Sequence, residues 1–292
     1  MQHRNLGNRT VSAIGIGGMP MSIEGRPDRA RSIATIHAAL DHEVTFIDTA
    51  NCYHLFGEDY GHNELIVADA LRSYSGSRDN ILVATKGGRK RLPDGTMAFE
   101  GRPEQLAAAA RASAKRLGVD TIDLYQYHRP DPTVPYAESV GALRDLLDDG
   151  IIAMAGISNA NPSQIREAHQ VLGGRLASVQ NQFSPVFRSS LPEMDLCEQL
   201  GVAFLPWSPL GGIARARSGE LGDQYAPFID IAQAHGVSPF QVTLAWELAL
   251  ANVVIPIPGA SRPESIIDSA AAAGLTLTPD EITRLSQTTP QI

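Results

Sequence analysis

The chain has 292 residues, 43% of them hydrophobic and 19% charged, a composition that supports a folded core and excludes an intrinsically disordered polymer. Its 24 Lys and Arg against 32 Asp and Glu leave a formal charge of −8, which excludes the broad basic face of a nucleic-acid binder but not one locally basic pocket. No run reaches the ~18 apolar residues of a membrane span, and residues 1–6 carry charge without an apolar stretch, so no membrane insertion and no secretory leader are expected.

In chain order, residues 6–11 hold a Gly7-Asn8 turn and predict a β-hairpin. Short apolar, β-rich runs then alternate with Ala/Leu-rich amphipathic ones. The spacing predicts strands over 13–17, 45–48, 81–85, 122–127, 152–157, 178–181, 203–206 and 253–256. Helices are predicted over 28–42, 63–74, 103–117, 136–149, 162–172, 192–200, 239–250 and 263–273, several with Pro near the first helical position, where its missing N–H costs nothing. An extra helix is expected around 225–235. Eight β-then-α units in this length predict an α/β fold, a single-domain (β/α)8 barrel over residues 1–292, with the N-terminal hairpin closing its floor. The run Gly15-Ile16-Gly17-Gly18 lacks the spacing of a dinucleotide-binding glycine loop.

In such a barrel chemistry belongs at the C-terminal ends of the strands. Strand two ends in Asp48, followed by Tyr53; strand three ends in Thr85-Lys86; strand four ends in Tyr127-His128. One mechanism uses all four side chains. Carbonyl reduction needs a proton donor for the developing alkoxide, and a free Tyr with a pKa of ~10 is a poor one near neutrality. Lys86 is expected to stabilise the Tyr53 phenolate and lower that value, Asp48 to hold Lys86, and His128 to aim the substrate oxygen. The hydride must come from a cofactor, because no side chain donates one. Asp48, His54, His62 and His128 offer an alternative set of metal ligands for a hydrolase, but Lys86 would repel the cation, and no metal is expected.

The segments Asp48-Thr49-Ala50-Asn51-Cys52-Tyr53, Ala84-Thr85-Lys86-Gly87 and Leu124-Tyr125-Gln126-Tyr127-His128 resemble the three catalytic signatures of the aldo-keto reductase family, in the family's order. The resemblance implies Tyr53 as general acid, Asp48 and Lys86 as its tuning pair and His128 as the orienting group. It also implies a nicotinamide cofactor. Ser158, Asn159 and Gln180 would bind the carboxamide, Trp207 would stack on the ring, and Ser208, Pro209, Leu210 and Gly211, with Gly212, would wrap the pyrophosphate. Ile257, Gly259, Ser261, Arg262, Ser265 and Asp268 would serve the adenosine end, with Arg262 favouring NADPH over NADH and Glu264 also near adenine or ribose. Many members carry Arg or Gln where Ser265 stands here, and Asn where Ser269 stands.

The substrate, a small carbonyl compound, is expected against Met19, Met21, the 51–62 loop (His54, Phe56, Glu58, Asp59 and Tyr60) and Arg129. The Arg89-Lys90-Arg91 run reads as a solvated charge run in a loop. The chain runs only to Ile292, soon after Pro290, so a long C-terminal substrate loop is not expected and the pocket should be open. Cys52 and Cys197 could pair once at most, and Cys52 reads as packing. The expected protein is a cytoplasmic NADP-dependent oxidoreductase; the alternative is an NADPH-binding redox sensor or regulatory subunit with little turnover.

Overall fold

Strands apolar on both faces need cover on both sides, and the chain meets this by alternating them with helices. The computed structural model describes residues 1–55, 59–212 and 222–288; Phe56, Glu58 and Pro290 lie outside them. Strands β1 (His3–Leu6) and β2 (Arg9–Ser12) form the expected hairpin. The barrel strands are β3 (Ile16–Gly17), β4 (Phe46–Asp48), β5 (Leu82–Gly87), β8 (Ile122–Tyr127), β9 (Ile152–Ser158), β10 (Leu176–Gln180) and β11 (Ala203–Phe204), all parallel and paired in that order. A second hairpin, β6 (Arg89–Arg91) with β7 (Met97–Phe99), leaves the top of β5.

Helices α1 (Arg29–Asp41), α2 (His62–Ser73), α3 (Pro103–Leu117), α4 (Tyr136–Asp148), α5 (Pro162–Val171) and α6 (Leu191–Leu200) follow strands one to six. The expected extra helix is α7 (Ala226–His235), followed by α8 (Pro239–Leu250), α9 (Pro263–Ala271) and α10 (Pro279–Ser286). Helix α10 is an addition to the expected set. Thr278 caps it in a reciprocal box with Glu281, a start signal readable in Thr278-Pro279-Asp280-Glu281.

The eighth strand is shorter than its apolar run suggests. Residues around 254 and 259 make only isolated bridges, Phe204 to Val254 and Gly17 to Gly259. The prolines give the reason. Toward β11, the Ile255 and Ile257 amides donate to Phe204 O (2.9 Å) and Pro206 O (3.2 Å). Toward β3, Pro256 and Pro258 have no N–H and only accept, from Gly15 N and Gly17 N at 2.9 Å each. The ring still closes, so the eight-unit barrel stands.

Phe46, Leu82, Leu124, Met154, Ala177, Leu205 and Ile255 fill the lumen, with Leu6 and Val11 of the hairpin as its floor. Gly7 sits at φ +56°, and a Cβ there would lie 2.7 Å from Met154 Sδ, so the hairpin seats this closely only with glycine. A larger shell packs the helices on the outer strand faces. Cys52 and Cys197 are free, buried thiols.

Glu247 on α8 is wholly buried, and neither carboxylate oxygen has a hydrogen-bond partner among the described residues. Burial pushes its carboxyl well above the ordinary value of 4.5, so the folded state holds the proton. The unfolded chain releases that proton above pH 4.5. Stability is therefore lost as pH rises through this window, by about 1.4 kcal/mol per unit. Glu247→Gln keeps a neutral side chain. It should be more stable than wild type at pH 7.5 by about 1–3 kcal/mol in urea denaturation, with the gap closing toward pH 4.5. A variant no more stable at pH 7.5 would show that the carboxylate has a partner.

Candidate active site

Strand alternation aims the polar residues. In β4, Phe46 faces the lumen and Ile47 the helices, so Asp48 faces the lumen again. In β5 the inward series is Leu82, Ala84, Lys86; in β8 it is Leu124, Gln126, His128. Each strand thus runs from apolar floor to polar top on one face. Gly156 leaves the room needed, since a Cβ there would meet Ser178 Oγ at 2.3 Å and Gln126 Cγ at 2.9 Å.

Lys86 and Asp48 are both buried, and Lys86 Nζ donates to Asp48 Oδ1 at 2.5 Å. The ammonium also donates to Thr49 O (2.9 Å) and to the Tyr53 hydroxyl (3.2 Å). Asp48 Oδ2 accepts from Gln180 Nε2 (2.8 Å) and Gln126 Nε2 (3.1 Å). Gln126 carried no assigned role in the sequence, although it lies inside the third motif; its inward register was the available signal. The family resemblance implies a cofactor role for Gln180; it lines the cavity, with its amide nitrogen turned to Asp48.

Burial pulls the Lys86 ammonium down, but Asp48 and Tyr53 outweigh it and the group stays above its ordinary range. Tyr53 departs from expectation. Burial, the largest effect, pushes its phenol up to about 12 and outweighs the pull of Lys86. The expected lowering is absent, and Tyr53 is a neutral phenol with an ammonium ready to receive its negative charge. His128 lies edge-on to the Tyr53 ring, centroids 5.8 Å apart. Burial, then Lys86, Arg89 and Arg129, hold its imidazole well below 6.5, so it is neutral near pH 7. Cys52 Sγ lies 3.5 Å from His128 Nδ1. Burial pushes this thiol up to about 12, which favours the protonated form of a residue that also lines the cavity.

A cavity of about 430 Å³ opens over this cluster. The structure brings Met19, Asp48, Tyr53, His128, Arg129, Ser158, Asn159, Gln180, Trp207, Ser208, Pro209, Leu210, Ile257 and Gly259 to its wall. Arg89, Arg91 and Met97 of the β6–β7 hairpin line it too, which corrects the reading of Arg89–Arg91 as a solvated loop run. The Pro93-Asp94-Gly95 turn between two short polar-apolar runs was the hairpin's signal.

Other candidates stand back from the wall. His54 is buried and packs its ring against Tyr60 at 5.3 Å, and Tyr60 Oη accepts from Asn51 Nδ2 at 2.8 Å; the pair backs the pocket and does not face it. Met21 is core beneath the helices. Gly211, Ser261, Arg262 and Ser265 lie outside this cavity, Arg262 Nε donating to Ser265 Oγ at 2.8 Å. Asp268 is occupied structurally, since its carboxylate accepts from Ser238 Oγ (2.7 Å) and Gln241 Nε2 (2.6 Å) at the start of α8. Among the described residues, no group of three or more His, Cys, Asp or Glu side chains is placed to hold a metal, and no helix is long and apolar enough to cross a membrane.

With this geometry in place, the comparisons with known proteins are decisive. Residues 13–289 match the aldo/keto reductase family. This chain belongs to that family. An uncharacterized oxidoreductase of Schizosaccharomyces pombe is 32% identical over 286 residues, 97% of this chain and 88% of the relative. A Glycine max protein named probable aldo-keto reductase 1 is 30% identical over 308 residues, 96% of this chain and 86% of its own. The glycerol dehydrogenase of Gluconobacter oxydans superposes with a TM-score of 0.84 at 26% identity, covering 99% of this chain and 96% of that one. A thermostable aldo-keto reductase crystallised with the inhibitor epalrestat gives 0.82 at 25%, covering 99% and 100%. As an aldo-keto reductase, the protein is an oxidoreductase of carbonyl compounds, in a family that uses nicotinamide cofactors.

The residues fit such a cofactor. Trp207 is half-buried at the cavity wall, and its indole N–H has no partner among the described residues. Three residues of the following loop take positive φ, Ser208 at +54°, Gly211 at +83° and Gly212 at +107°. Asn159 does the same at +56°. A left-handed Ser costs of order 1–3 kcal/mol and is typical of ligand-gripping loops.

The buried ion pair yields a stability prediction. Lys86→Met leaves Asp48 buried without its cation and should cost about 3–5 kcal/mol. Adding Asp48→Asn should return much of that loss. Chemical denaturation of both variants checks this, and equal stability of the single and double variants would contradict it.

Proposed function

We propose that the protein reduces an aldehyde or ketone to an alcohol at the expense of NADPH, with Tyr53 delivering the proton. The observation that carries this reading is the Tyr53 hydroxyl at the cavity wall, 3.2 Å from an ammonium that is itself clamped on Asp48.

The reduced nicotinamide supplies the hydride when bound. Trp207 offers a flat face for that ring, and Ser158 and Asn159 are the polar groups beside it. In the present arrangement Asn159 Nδ2 donates to His128 O (3.0 Å) and Ser158 Oγ (2.9 Å), so these residues share one network with the catalytic histidine. The substrate carbonyl oxygen takes two donors, the Tyr53 hydroxyl and a His128 ring N–H. As negative charge grows on that oxygen, Tyr53 passes its proton and Lys86 Nζ stabilises the phenolate left behind. Neutral His128 donates without competing as an acid. Asp48 keeps Lys86 in place, and Gln126 and Gln180 keep Asp48 in place. The Ser208–Gly212 loop would grip the pyrophosphate through its backbone amides. Arg262, exposed at the start of α9, would pair with a 2′-phosphate, which selects NADPH. Residues 1–292 act as one catalytic unit in this reading.

Tyr53→Phe should lower kcat at least about 10²–10⁴-fold while NADPH binding, followed by fluorescence, persists. Because burial pushes the phenol up to about 12, the wild-type reduction rate should stay flat from about pH 6 to 9 with respect to this acid. Turnover retained in Tyr53→Phe, measured as NADPH oxidation with a reactive aldehyde, would remove Tyr53 as the donor. A cofactor that binds while no carbonyl is reduced would instead favour a sensor. Arg262→Ala should raise KM for NADPH about tenfold and leave KM for NADH little changed; a parallel change in both would remove Arg262 as the selector.

A further inference from the structure

Two guanidinium groups line the catalytic cavity without a counter-ion among the described residues. Arg89 stands on β6, just past the end of β5, and Arg129 follows His128 at the end of β8, so they flank the catalytic pair on adjacent strands. Both are half-buried, and the Nε–H of each is buried without a hydrogen-bond partner among the described residues. Neither is in a salt bridge there. The nearby charges are spent elsewhere: Asp48 on Lys86, Glu24 on Arg91 and, more loosely, Glu100 on Lys90 at 3.8 Å.

Each arginine is also held in position. The Arg89 guanidinium lies over the Phe99 ring, 5.7 Å from its centroid, and Arg129 Nη2 donates to Asn159 Oδ1 at 3.1 Å. Burial, then Arg129, hold the Arg89 guanidinium below its ordinary range, as two crowded cations should. Buried unpaired donors and like charges brought together both cost stability, and a bound oxyanion relieves both costs at once.

We infer that Arg89 and Arg129 form an oxyanion-binding subsite that selects carbonyl substrates bearing a carboxylate a few carbons from the reacting carbon. The planar fork of a guanidinium matches a carboxylate through two parallel bonds. The about 430 Å³ of the cavity must also admit a nicotinamide, which favours a short oxo-acid over a bulky one. The Ser208–Gly212 loop and Ile257 lie on the opposite, β11 side of the barrel, so the subsite serves the substrate and not the cofactor phosphates. The assignment of a carbonyl substrate rests on the function proposed above; the oxyanion subsite itself does not.

The test pairs kinetics with binding. With NADPH, 4-oxobutanoate is compared with its uncharged methyl ester. Wild type should show kcat/KM at least about tenfold higher for the acid, Arg89→Gln should bring the ratio close to one, and Arg89→Lys should keep part of it. A wild-type enzyme that reduces the ester as well as the acid overturns the proposal. Independently of turnover, calorimetric titration of wild type and Arg89→Gln uses butyrate and, separately, inorganic phosphate. Butyrate binding that Arg89→Gln abolishes supports the carboxylate subsite. Phosphate bound in its place supports the oxyanion site but overturns the choice of carboxylate. No binding of either anion overturns both. Butyrate binding with neither carbonyl reduced would leave the subsite standing and overturn the carbonyl-reductase reading alone. Thermal melting of each variant separates these results from misfolding.

Discussion

An ammonium and a carboxylate, both shut off from water at the top of the barrel lumen, set the terms for the rest of the molecule. Burying either charge alone costs several kcal/mol. The cost is met by a shell of partners: Thr49 and Tyr53 around Lys86, Gln126 and Gln180 around Asp48. These come from β4 and the loop after it, β5, β8 and β10, so the pair is satisfied only when most of the barrel wall is in register. Site and fold are therefore not separable layers. A slip of one residue in β8 would turn Gln126 outward and leave Asp48 Oδ2 one donor short.

In the proposed mechanism that clamp also explains how a tyrosine can serve as an acid while its phenol resists ionisation. Depth in the pocket raises the Tyr53 pKa, and Lys86 only moderates the rise. For a proton donor this is an asset, since the group stays loaded across the physiological range. The proposed step requires a cation already in place when the phenolate forms, and the Asp48–Lys86 contact would supply it before substrate arrives. The expectation that Lys86 would lower the Tyr53 value weighed charge and omitted desolvation, which no sequence pattern reports.

Much of the architecture was legible because its signals are local. Alternation from Phe46 to Asp48, from Leu82 to Lys86 and from Leu124 to His128 places one polar residue at each strand top, and Pro and cap residues mark the helix starts. What stayed illegible depends on neighbours distant in sequence. Residues 253–258 are apolar enough for a strand, yet Pro256 and Pro258 deny it donors toward β3 alone, and which side lacks them is a tertiary fact. Arg89–Arg91 has the composition of a solvated run and becomes pocket wall because the 92–96 turn folds it back on Met97–Phe99. His54 and Tyr60 sit on the expected loop but find each other instead of the cavity. Asp268, which the family resemblance offers to the cofactor, is claimed by the first turn of α8.

The charge of the chain and the charge of its pocket have opposite signs. The formal −8 is spread over the exterior, where screening at physiological salt reduces each contribution beyond roughly 8 Å. At the mouth, Arg89 and Arg129 line the same small cavity, Lys86 lies buried beside Tyr53, and Asp48 and Glu24 at the wall are paired with Lys86 and Arg91. Burial first, and then Lys86, Arg89 and Arg129, hold His128 well below its ordinary value. A neutral imidazole keeps one ring N–H, so in the proposed mechanism His128 contributes a hydrogen bond and not an acid. In the proposed subsite, a net negative chain and a pocket that would bind anions at contact distance separate capture from steering. Such a site gains selectivity from the fit of an oxyanion between two fixed guanidiniums and gains little from diffusional attraction.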